Sequence, residues 1–400
     1  MKVIIDKSRA EGTVTAPPSK SMAHRALICG ALSGESRVNN LAYSKDISAT
    51  LDCLIKMGAK TENTDDGCII GGLDPFEIKE GTVLYCNESG STLRFFIPLC
   101  LLSGNRITLT GSSRLFERPL TVYEDICRQQ NIYFEKTGDS LTVQGRLKSG
   151  TYNVPGDISS QFITGLMFAL PLLEGDSEIR VVGRFESESY IDLTLSVLAD
   201  FGIEITRNDN TFYIKGGQKY ASTEHTVEGD CSNAAFLDGL NYLGGSVEVL
   251  GIKEDTLQGD RVYKDIYRRL KEGEKKFDLS DCPDLAPVLF TVAATKGGAF
   301  FTGTARLKIK ESDRAVVMAE ELSKFGIDVV VGDNTVEVKK GDIKKPECEL
   351  LGHNDHRIVM SLALLCTLTG GIIEGAEAVS KSYPDFFKKL SDLKVGITKL

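Results

Sequence analysis

Length, composition and charge exclude several broad classes of protein. The 400 residues are 42% apolar and 26% charged, which excludes a disordered chain and a small scaffold held by disulfides, and indicates two globular domains. The formal net charge of −9 argues against a general nucleic-acid binder, although a local cluster of cations could still attract a small anion.

Cysteine usage and the longest apolar run bear on where the protein acts. The ten cysteines are scattered, with no C-x-x-C pair and no histidine–cysteine cluster at metal spacing. No secretory signal follows Met1, so we expect reduced thiols and a cytoplasmic protein. The apolar run over residues 358–368 is interrupted and too short to span a bilayer. We expect no membrane association, no metal and no cofactor.

The first predicted helix follows a pair of prolines at 17–18, which cannot continue a helix from upstream. Ser19 is a good N-cap residue, and the small and apolar residues over 22–32 fit a buried helix. Lys20 and Arg25 therefore lie at the start of a helix, where free N–H groups and the positive end of the dipole favour an anion. A capped core helix with two solvated cations is the simpler interpretation of this stretch alone.

The same pattern recurs along the chain about every 70 residues, so it is an internal repeat. Apolar helices that end at a glycine are predicted over residues 19–32, 88–102, 158–173, 232–243, 284–295 and 355–369. Amphipathic helices follow at 46–57, 190–201 and 313–325, and hairpins at 203–214 and 327–338. The repeat is a βαβαββ unit used six times, which predicts an α/β protein with mixed sheets packed against internal helices.

Six such units are too many for one core, so we expect two domains of three βαβαββ repeats each. The midpoint falls at the polar stretch 222–228. We predict an N-terminal-type domain over residues 19–226 and a discontinuous C-terminal-type domain formed by 1–18 plus 227–400. A strand over residues 1–5 would close the last, incomplete repeat of the discontinuous domain.

Charged and polar residues are concentrated at the helix starts and in the following loops, beyond what capping requires. Taken singly, each charge is typical of a solvated face or a surface ion pair. Taken together, eight cations at corresponding places in the repeats indicate a polyanion or two phosphate-bearing ligands: Lys20, Arg25, Arg94, Arg118, Lys310, Arg314, Arg357 and Lys381. Asp284 and Glu311 are the acidic residues available for proton transfer.

Several familiar chemistries have no motif in this chain. Neither G-x-x-x-x-G-K-[ST] nor G-x-G-x-x-G occurs, so both nucleotide phosphate loops are missing. There is no H-E-x-x-H, and the four histidines leave little for a metal site. No G-x-S-x-G elbow is present, which argues against an α/β-hydrolase. Phosphate recognition must then come from lysines, arginines and helix starts.

Seven motifs, in order, resemble those of the 5-enolpyruvylshikimate-3-phosphate (EPSP) synthase family, and together they cover essentially the whole chain. They are Pro-Ser-Lys-Ser-x-x-x-Arg at 18–25, Ser-Gly-Ser-x-x-Arg at 89–94, Glu-Arg-Pro at 117–119, Ser-Ser-Gln at 159–161, Lys-Glu-Ser-Asp-Arg at 310–314, Asn-Asp-His-Arg at 354–357 and Lys-Ser-Tyr-Pro at 381–384. The resemblance implies a two-domain enolpyruvyl transferase-like fold, with helix N-termini facing an interdomain cleft that closes on the substrates.

The resemblance also implies an activity. The enolpyruvyl (1-carboxyvinyl) group would pass from phosphoenolpyruvate to the 5-hydroxyl of shikimate 3-phosphate, with release of phosphate and without a metal. This is a step of the shikimate pathway to chorismate and the aromatic amino acids. We expect a monomer whose partners are its two small-molecule substrates, and no nucleic acid.

Residue roles follow from the resemblance, motif by motif. Contacts to shikimate 3-phosphate are implied for Lys20, Ser21, Arg25, Ser159, Ser160, Gln161, Ser187, Asp284 and Lys310. Contacts to phosphoenolpyruvate are implied for Lys20, Gly90, Arg118, Gln161, Arg314, Arg357 and Lys381. As a hypothesis for the mechanism, Asp284 takes the proton of the 5-hydroxyl, and either Glu311 or Lys20 protonates C3 of phosphoenolpyruvate.

Three positions qualify the comparison with the family. Glu88 stands where an asparagine is common, which alters the local charge expected near the phosphoenolpyruvate site. Arg306 stands where some relatives have asparagine, so no contact is assigned to Arg306. Gly90 is the unobstructed residue of the Ser-Gly-Ser motif, which predicts inhibition by glyphosate, a competitor of phosphoenolpyruvate.

Two alternatives differ in class. The sister enzyme that transfers enolpyruvyl to UDP-N-acetylglucosamine shares the repeat fold but relies on a cysteine in the loop that corresponds to residues 111–117, where this chain has none. The other alternative is a catalytically inactive anion-binding or scaffold protein built from the same repeats. Asp284, Glu311 and the full set of cations argue against it.

Overall fold

The computed structural model describes all 400 residues, Met1–Leu400. Thirteen α-helices are formed, α1 to α13 in chain order: Lys20–Leu32, Lys45–Met57, Gly90–Ser103, Ser113–Glu117, Thr121–Gln129, Ser160–Ala169, Glu188–Asp200, Cys231–Tyr242, Tyr263–Glu272, Ala286–Thr295, Arg314–Lys324, His356–Thr369 and Phe386–Asp392. Short 3₁₀ turns connect some of them, among them Pro283–Leu285, Ala305–Ile309 and Ala376–Lys381.

Twenty-two strands complete the secondary structure. In chain order β1 to β22 are Lys2–Ile5, Glu11–Thr15, Ser36–Asn39, Lys60–Thr64, Gly67–Gly71, Val83–Tyr85, Ile107–Thr110, Tyr133–Lys136, Ser140–Gln144, Thr151–Pro155, Ser177–Val182, Ile205–Asn208, Thr211–Ile214, Glu224–Thr226, Ser246–Leu250, Lys276–Asp278, Ala299–Thr302, Val329–Val331, Thr335–Val338, Leu350–Leu351, Gly371–Glu374 and Ile397–Lys399.

The chain divides into two compact units, each with its own hydrophobic core. The N-terminal unit is the continuous segment Pro18–Val227. The C-terminal unit combines Met1–Pro17 with Glu228–Leu400. No helix in the chain combines the length and the apolar character needed to cross a membrane.

Three four-stranded sheets of identical topology build the N-terminal unit. Their strand orders are β14-β3-β5-β4, β6-β7-β9-β8 and β10-β11-β13-β12. In each sheet the first two strands run parallel and the remaining pairs run antiparallel. The apolar helices α1, α3 and α6 are buried on nearly every face, which explains why their sequences lack a polar stripe.

Two sheets of the C-terminal unit repeat this topology, in the orders β16-β17-β19-β18 and β20-β21-β1-β22. The first strand of the chain, β1, lies between β21 and β22, with Val3 opposite Ile373 and Lys399. The prediction that residues 1–5 close the last repeat is therefore confirmed.

The third sheet of the C-terminal unit departs from the expected repeat. It has only two strands, β15 and β2, which pair in parallel from Ser246 opposite Glu11 to Leu250 opposite Thr15. After β15 the chain passes through a 3₁₀ turn and α9 to β16 without forming a hairpin. The repeat that starts here is shorter than the others, so it has no residues left for the last two strands.

Candidate active site

The start of α1 places Lys20 beside a carboxylate that the sequence did not single out. Ser19 caps the helix, since its hydroxyl accepts from the backbone N–H of Met22 at 3.4 Å. Lys20 Nζ donates to Asp46 Oδ2 at 2.8 Å, and Asp46 lies in the first turn of α2. The acidic start of α2 was the available signal for this pair.

Arg25, one turn into α1, is fixed by α7. Its Nε donates to Thr194 Oγ1 at 2.8 Å and its Nη2 donates to the Tyr190 carbonyl at 3.1 Å. Its Nη1 donates to the Ser21 carbonyl at 2.7 Å, which joins two of the predicted residues. Burial lowers the pKa of Arg25 to about 10, so the guanidinium still carries its charge at neutral pH.

The start of α3 brings Gly90, Arg118 and Gln161 together. A Cβ added at Gly90 would lie 2.9 Å from Arg118 Nη1 and 3.5 Å from Gln161 Oε1. Arg94, on the next turn of α3, donates from Nη1 to Gln161 Oε1 at 2.7 Å, and Gln161 Nε2 donates to Ser91 Oγ at 3.0 Å. Arg94 is one of the eight cations that the sequence pattern indicates, and the structure places it in this group.

The serines predicted to bind substrate lie at two further helix starts of the N-terminal unit. Ser159 caps α6 by accepting from the backbone N–H of Gln161 at 3.3 Å, and Ser160 is the first residue of that helix. Ser187 precedes α7 and is buried with a φ of 56°, a left-handed conformation that is uncommon outside glycine. Such strained residues are frequent at functional sites.

In the C-terminal unit, Asp284 is surrounded by three cations. Its Oδ1 lies 3.1 Å from Lys310 Nζ and 2.8 Å from Arg314 Nη1, and its Oδ2 lies 3.1 Å from Arg357 Nη2. Burial alone would raise the pKa of Asp284, but Arg357, Lys310 and Arg314 hold that pKa well below its ordinary value. Asp284 is therefore an ionised carboxylate at neutral pH.

Arg314, the first residue of α11, connects Asp284 to two further carboxylates. It is 1% exposed and donates from Nη2 to Glu311 Oε2 at 2.6 Å and from Nε to Asp355 Oδ2 at 2.9 Å. Asp355 is fully buried, caps α12 by accepting from the backbone N–H of Arg357 at 2.9 Å, and was not predicted. An Asp directly before a helix that carries an arginine was the signal for it.

Lys381 and Arg306 lie in the 3₁₀ turns of the C-terminal unit. Lys381 is buried, and its Nζ donates to the carbonyl of Asn354 at 2.5 Å. Arg306 is also buried and donates through Nη2 to the carbonyl of Ser280. Glu88, in the N-terminal unit, is half-buried just before the start of α3.

A second acidic group of the C-terminal unit, Asp260, has a perturbed pKa. It is 3% exposed and accepts a hydrogen bond from the Ser232 hydroxyl. Burial and the nearby Asp284 raise the pKa of Asp260 to about 7, with Arg357 opposing them. Nothing in the sequence pattern pointed to this residue.

Comparison of the whole chain with solved structures gives the class of fold. The fold is similar to that of an EPSP synthase from Acinetobacter baumannii, with a TM-score of 0.79, 24% identity and complete coverage of both chains. It is also similar to an enolpyruvyl transferase from Streptomyces tendae, with a TM-score of 0.77, 15% identity, and 99% and 98% of the two chains covered. The predicted two-domain enolpyruvyl transferase-like fold is confirmed.

Sequence comparisons give the family. The model of the EPSP synthase (3-phosphoshikimate 1-carboxyvinyltransferase) family matches residues 5–390. A 3-phosphoshikimate 1-carboxyvinyltransferase from Clostridium kluyveri is 41% identical over 98% of this chain and 97% of its own length. Another from Clostridium acetobutylicum is 42% identical over 96% of this chain and 95% of its own length. The chain belongs to the EPSP synthase family, and it is an enzyme of the enolpyruvyl transferase class.

Proposed function

We propose that the protein transfers the enolpyruvyl group of phosphoenolpyruvate to the 5-hydroxyl of shikimate 3-phosphate, giving 5-enolpyruvylshikimate 3-phosphate and inorganic phosphate. Family membership supports the reaction and its place in the shikimate pathway to chorismate and the aromatic amino acids. The observation that carries the proposal is the ionised Asp284 held by Lys310, Arg314 and Arg357.

Residues of the N-terminal unit are proposed to bind shikimate 3-phosphate. Its phosphate is a dianion, and helix starts that carry serines and cations are suited to it. The proposed contacts from this unit are Lys20, Ser21, Arg25, Ser159, Ser160, Gln161 and Ser187. Asp284 and Lys310 of the C-terminal unit are proposed to bind the hydroxyls of the shikimate ring, because a carboxylate accepts and an ammonium donates hydrogen bonds.

The proposed phosphoenolpyruvate site combines cations with one glycine. Arginine can hold a carboxylate or a phosphate through two parallel hydrogen bonds, and a glycine at a helix start lets an anion approach backbone N–H groups. The residues are Lys20, Gly90, Arg118, Gln161, Arg314, Arg357 and Lys381. Their positive charge would also stabilise the phosphate as it leaves, because preorganised dipoles and charges lower such barriers.

The addition step begins at Asp284. Its carboxylate takes the proton of the 5-hydroxyl while the oxygen forms a bond to C2 of phosphoenolpyruvate and C3 gains a proton. When phosphoenolpyruvate binds Arg314 and Arg357, the ion pairs of these arginines with Asp284 weaken. The pKa of Asp284 then rises, and Asp284 becomes a stronger base. Substrate binding would thus activate the base.

The acid that protonates C3 is Glu311 or Lys20. Glu311 would take up a proton once the substrate weakens its pair with Arg314 and would then donate it, whereas the Lys20 ammonium would donate from its position beside Asp46. In the elimination step the acid–base roles are reversed: C3 returns a proton to the deprotonated Glu311 or Lys20 and the C2–C3 double bond re-forms. The bond from C2 to the phosphate oxygen breaks as Asp284 gives its proton to the leaving phosphate. Phosphate leaves, so atoms and charges balance without an oxidant or reductant.

An acceptor comparison tests the proposed function. The purified protein is incubated with phosphoenolpyruvate and either shikimate 3-phosphate, unphosphorylated shikimate or UDP-N-acetylglucosamine, and released phosphate is measured. We expect rapid release with shikimate 3-phosphate and at most slow release with the other two. Release only with UDP-N-acetylglucosamine would identify the sister enzyme, and no release with any acceptor would favour an inactive binding protein.

Location and assembly belong to the same proposal. All ten cysteines are free thiols and nine of them are buried, which suits the reducing cytoplasm. We propose a cytoplasmic monomer whose partners are its two substrates. Sedimentation of the purified protein at micromolar concentration checks the monomer.

A further inference from the structure

Glu321 is a buried carboxylate of the C-terminal unit for which the proposed mechanism has no use. It lies on α11 and is 1% exposed. Its Oε2 accepts from the backbone N–H of Leu351 at 3.0 Å, and its Oε1 lies 2.9 Å from His353 Nε2. Lys324, one turn further along α11, donates to both oxygens at 2.8 and 2.9 Å. Each carboxylate oxygen is therefore fully engaged, and two of its partners belong to the segment that leads into α12.

That segment has an unfavourable backbone conformation. His353 and Asn354 are consecutive non-glycine residues with φ of 47° and 52°, in the left-handed region. Residues in this region persist only where their surroundings hold them there. The preceding Gly352 is itself confined, because a Cβ there would lie 2.6 Å from Val359 Cγ2. The bend thus depends on contacts from outside the segment, and Glu321 supplies them.

The bend sets the position of three groups in the proposed phosphoenolpyruvate site. The carbonyl of Asn354 accepts from Lys381 Nζ at 2.5 Å. Asp355 then accepts from Arg314 and caps α12, and Arg357 follows in the first turn of that helix. A change in the backbone at residues 353–354 would shift all of these partners together.

Helix α11 holds the segment at two points. Arg314, at its start, contacts Asp355, and Glu321, seven residues later, contacts Leu351 and His353. Seven residues are about two turns, so both side chains lie on one face of the helix, roughly 10 Å apart. Only the first of these contacts involves residues with a proposed substrate role.

We propose that Glu321 is a positioning residue of the phosphoenolpyruvate site, which acts by holding the left-handed bend at His353 and Asn354. This inference rests on the proposed function. If the inference is right, loss of the Glu321 contacts to Leu351 and His353 weakens phosphoenolpyruvate binding. The contacts to shikimate 3-phosphate in the N-terminal unit stay intact.

The test measures the KM of both substrates for Glu321→Gln and Glu321→Ala, with Glu320→Gln as the matched control on an exposed neighbouring position of α11. For Glu321→Ala we expect the KM for phosphoenolpyruvate to rise about tenfold, since small displacements of binding groups are costly. The KM for shikimate 3-phosphate should change less than about twofold. Glu321→Gln should be intermediate, because its amide oxygen can still accept from Leu351.

A double-mutant cycle with His353→Ala provides the second measurement, and it remains available if Glu321→Ala fails to fold. Glu321→Gln and His353→Ala should each raise the KM for phosphoenolpyruvate, and the double variant should raise it by less than the product of the two effects. If the wild type is active, an unchanged KM for phosphoenolpyruvate in the variants, or equal rises of the KM for both substrates, would overturn the inference. A wild type without transferase activity would overturn the proposed function and this inference with it.

Discussion

In the proposed mechanism Asp284 is a weak base before the substrates bind and a stronger base afterwards. In the structure it pairs with Lys310, Arg314 and Arg357, and these cations keep its pKa well below the ordinary value. Such a group is a poor proton acceptor by itself. The proposed mechanism makes it a better proton acceptor when an anionic substrate competes for the same cations.

The first prediction concerns this residue. Asp284→Asn and Asp284→Ala should lower kcat about 10²- to 10⁴-fold, the usual contribution of a general base. The Kd for shikimate 3-phosphate, measured by calorimetry, should stay within about threefold because most proposed contacts lie in the N-terminal unit. Asp281→Asn, at an exposed position three residues earlier, is the matched control. A near-normal rate in the Asp284 variants would contradict the role.

The second prediction concerns Asp260 and the pH dependence of stability. Its pKa is raised from 3.8 to about 7 by burial and Asp284, so the folded protein holds this proton more tightly than the unfolded chain does. The stabilisation of the folded protein by this group is fully present below about pH 4, and it is lost as the pH rises to about 7.

The substitution Asp260→Asn removes this dependence, since an amide does not titrate and can still accept from Ser232. Between pH 5 and pH 8.5 the free energy of unfolding of the variant should improve relative to the wild type by about 2 kcal/mol. Urea titrations at both pH values measure the difference. A constant difference across the range would show that Asp260 is ionised in the folded protein throughout.

At the residue scale the sequence identified the cations better than their partners. Lys20 and Arg314 stood out because their places recur in the repeat, and the structure gives each a close contact. Asp46 and Asp355 were missed, because a carboxylate at a helix start is equally typical of an ordinary cap. Which cation a carboxylate pairs with depends on contacts between residues 26 to 41 positions apart, and no local pattern records them.

At the element scale, the start of α3 combines a cap with a residue that has no side chain. Ser89 caps α3 by accepting from the backbone N–H of Thr92 at 3.2 Å, which leaves Gly90 as the first residue of the helix. Without a side chain at this point, an anion can reach the free N–H groups of the first turn.

The third prediction follows from the absence of a side chain at Gly90. Glyphosate, which carries a carboxylate and a phosphonate, should inhibit the wild type competitively with phosphoenolpyruvate. Gly90→Ala should weaken inhibition and raise the KM for phosphoenolpyruvate, because the new Cβ would lie 2.9 Å from Arg118 Nη1 and displace it. Steady-state kinetics at several glyphosate concentrations measure both effects. No inhibition of the wild type at millimolar glyphosate would contradict the proposal.

Most helices and strands could be predicted, because the apolar patterns of both kinds of element are strong in this chain and recur with the repeat. The first helix, expected over 19–32, is Lys20–Leu32, and the last apolar helix, expected over 355–369, is His356–Thr369. The two-stranded sheet of β15 and β2 was not predicted, because the length of a repeat does not tell which of its strands will be absent.

At the scale of the whole molecule, the first strand joins the two ends of the chain in one sheet. In β1, Val3 and Ile5 are buried, and the strand pairs with β21 on one side and β22 on the other. The pairing spans nearly the full length of the chain, so the C-terminal unit cannot complete its last sheet without the first residues. This pairing could be predicted from the sequence, because the final repeat is incomplete and residues 1–5 supply a strand for it.

The fourth prediction tests this role of β1. Val3→Asp places an unpaired charge in the hydrophobic core of the C-terminal unit and should lower the free energy of unfolding by about 3 kcal/mol or more. Lys2→Gln, at a partly exposed position of the same strand, is the control and should have a smaller effect. Denaturant titrations followed by circular dichroism compare the two variants. A Val3→Asp variant as stable as the wild type would contradict the proposed dependence of the C-terminal unit on β1.

The central claim is an addition–elimination reaction in which C3 of phosphoenolpyruvate is protonated and later gives up a proton. The most direct measurement runs the reaction in deuterium oxide with phosphoenolpyruvate and shikimate 3-phosphate, and analyses the products by phosphorus NMR and mass spectrometry. We predict equal amounts of inorganic phosphate and of 5-enolpyruvylshikimate 3-phosphate with deuterium at the vinyl carbon. Product without deuterium, or no phosphate release with this pair of substrates, would contradict the account.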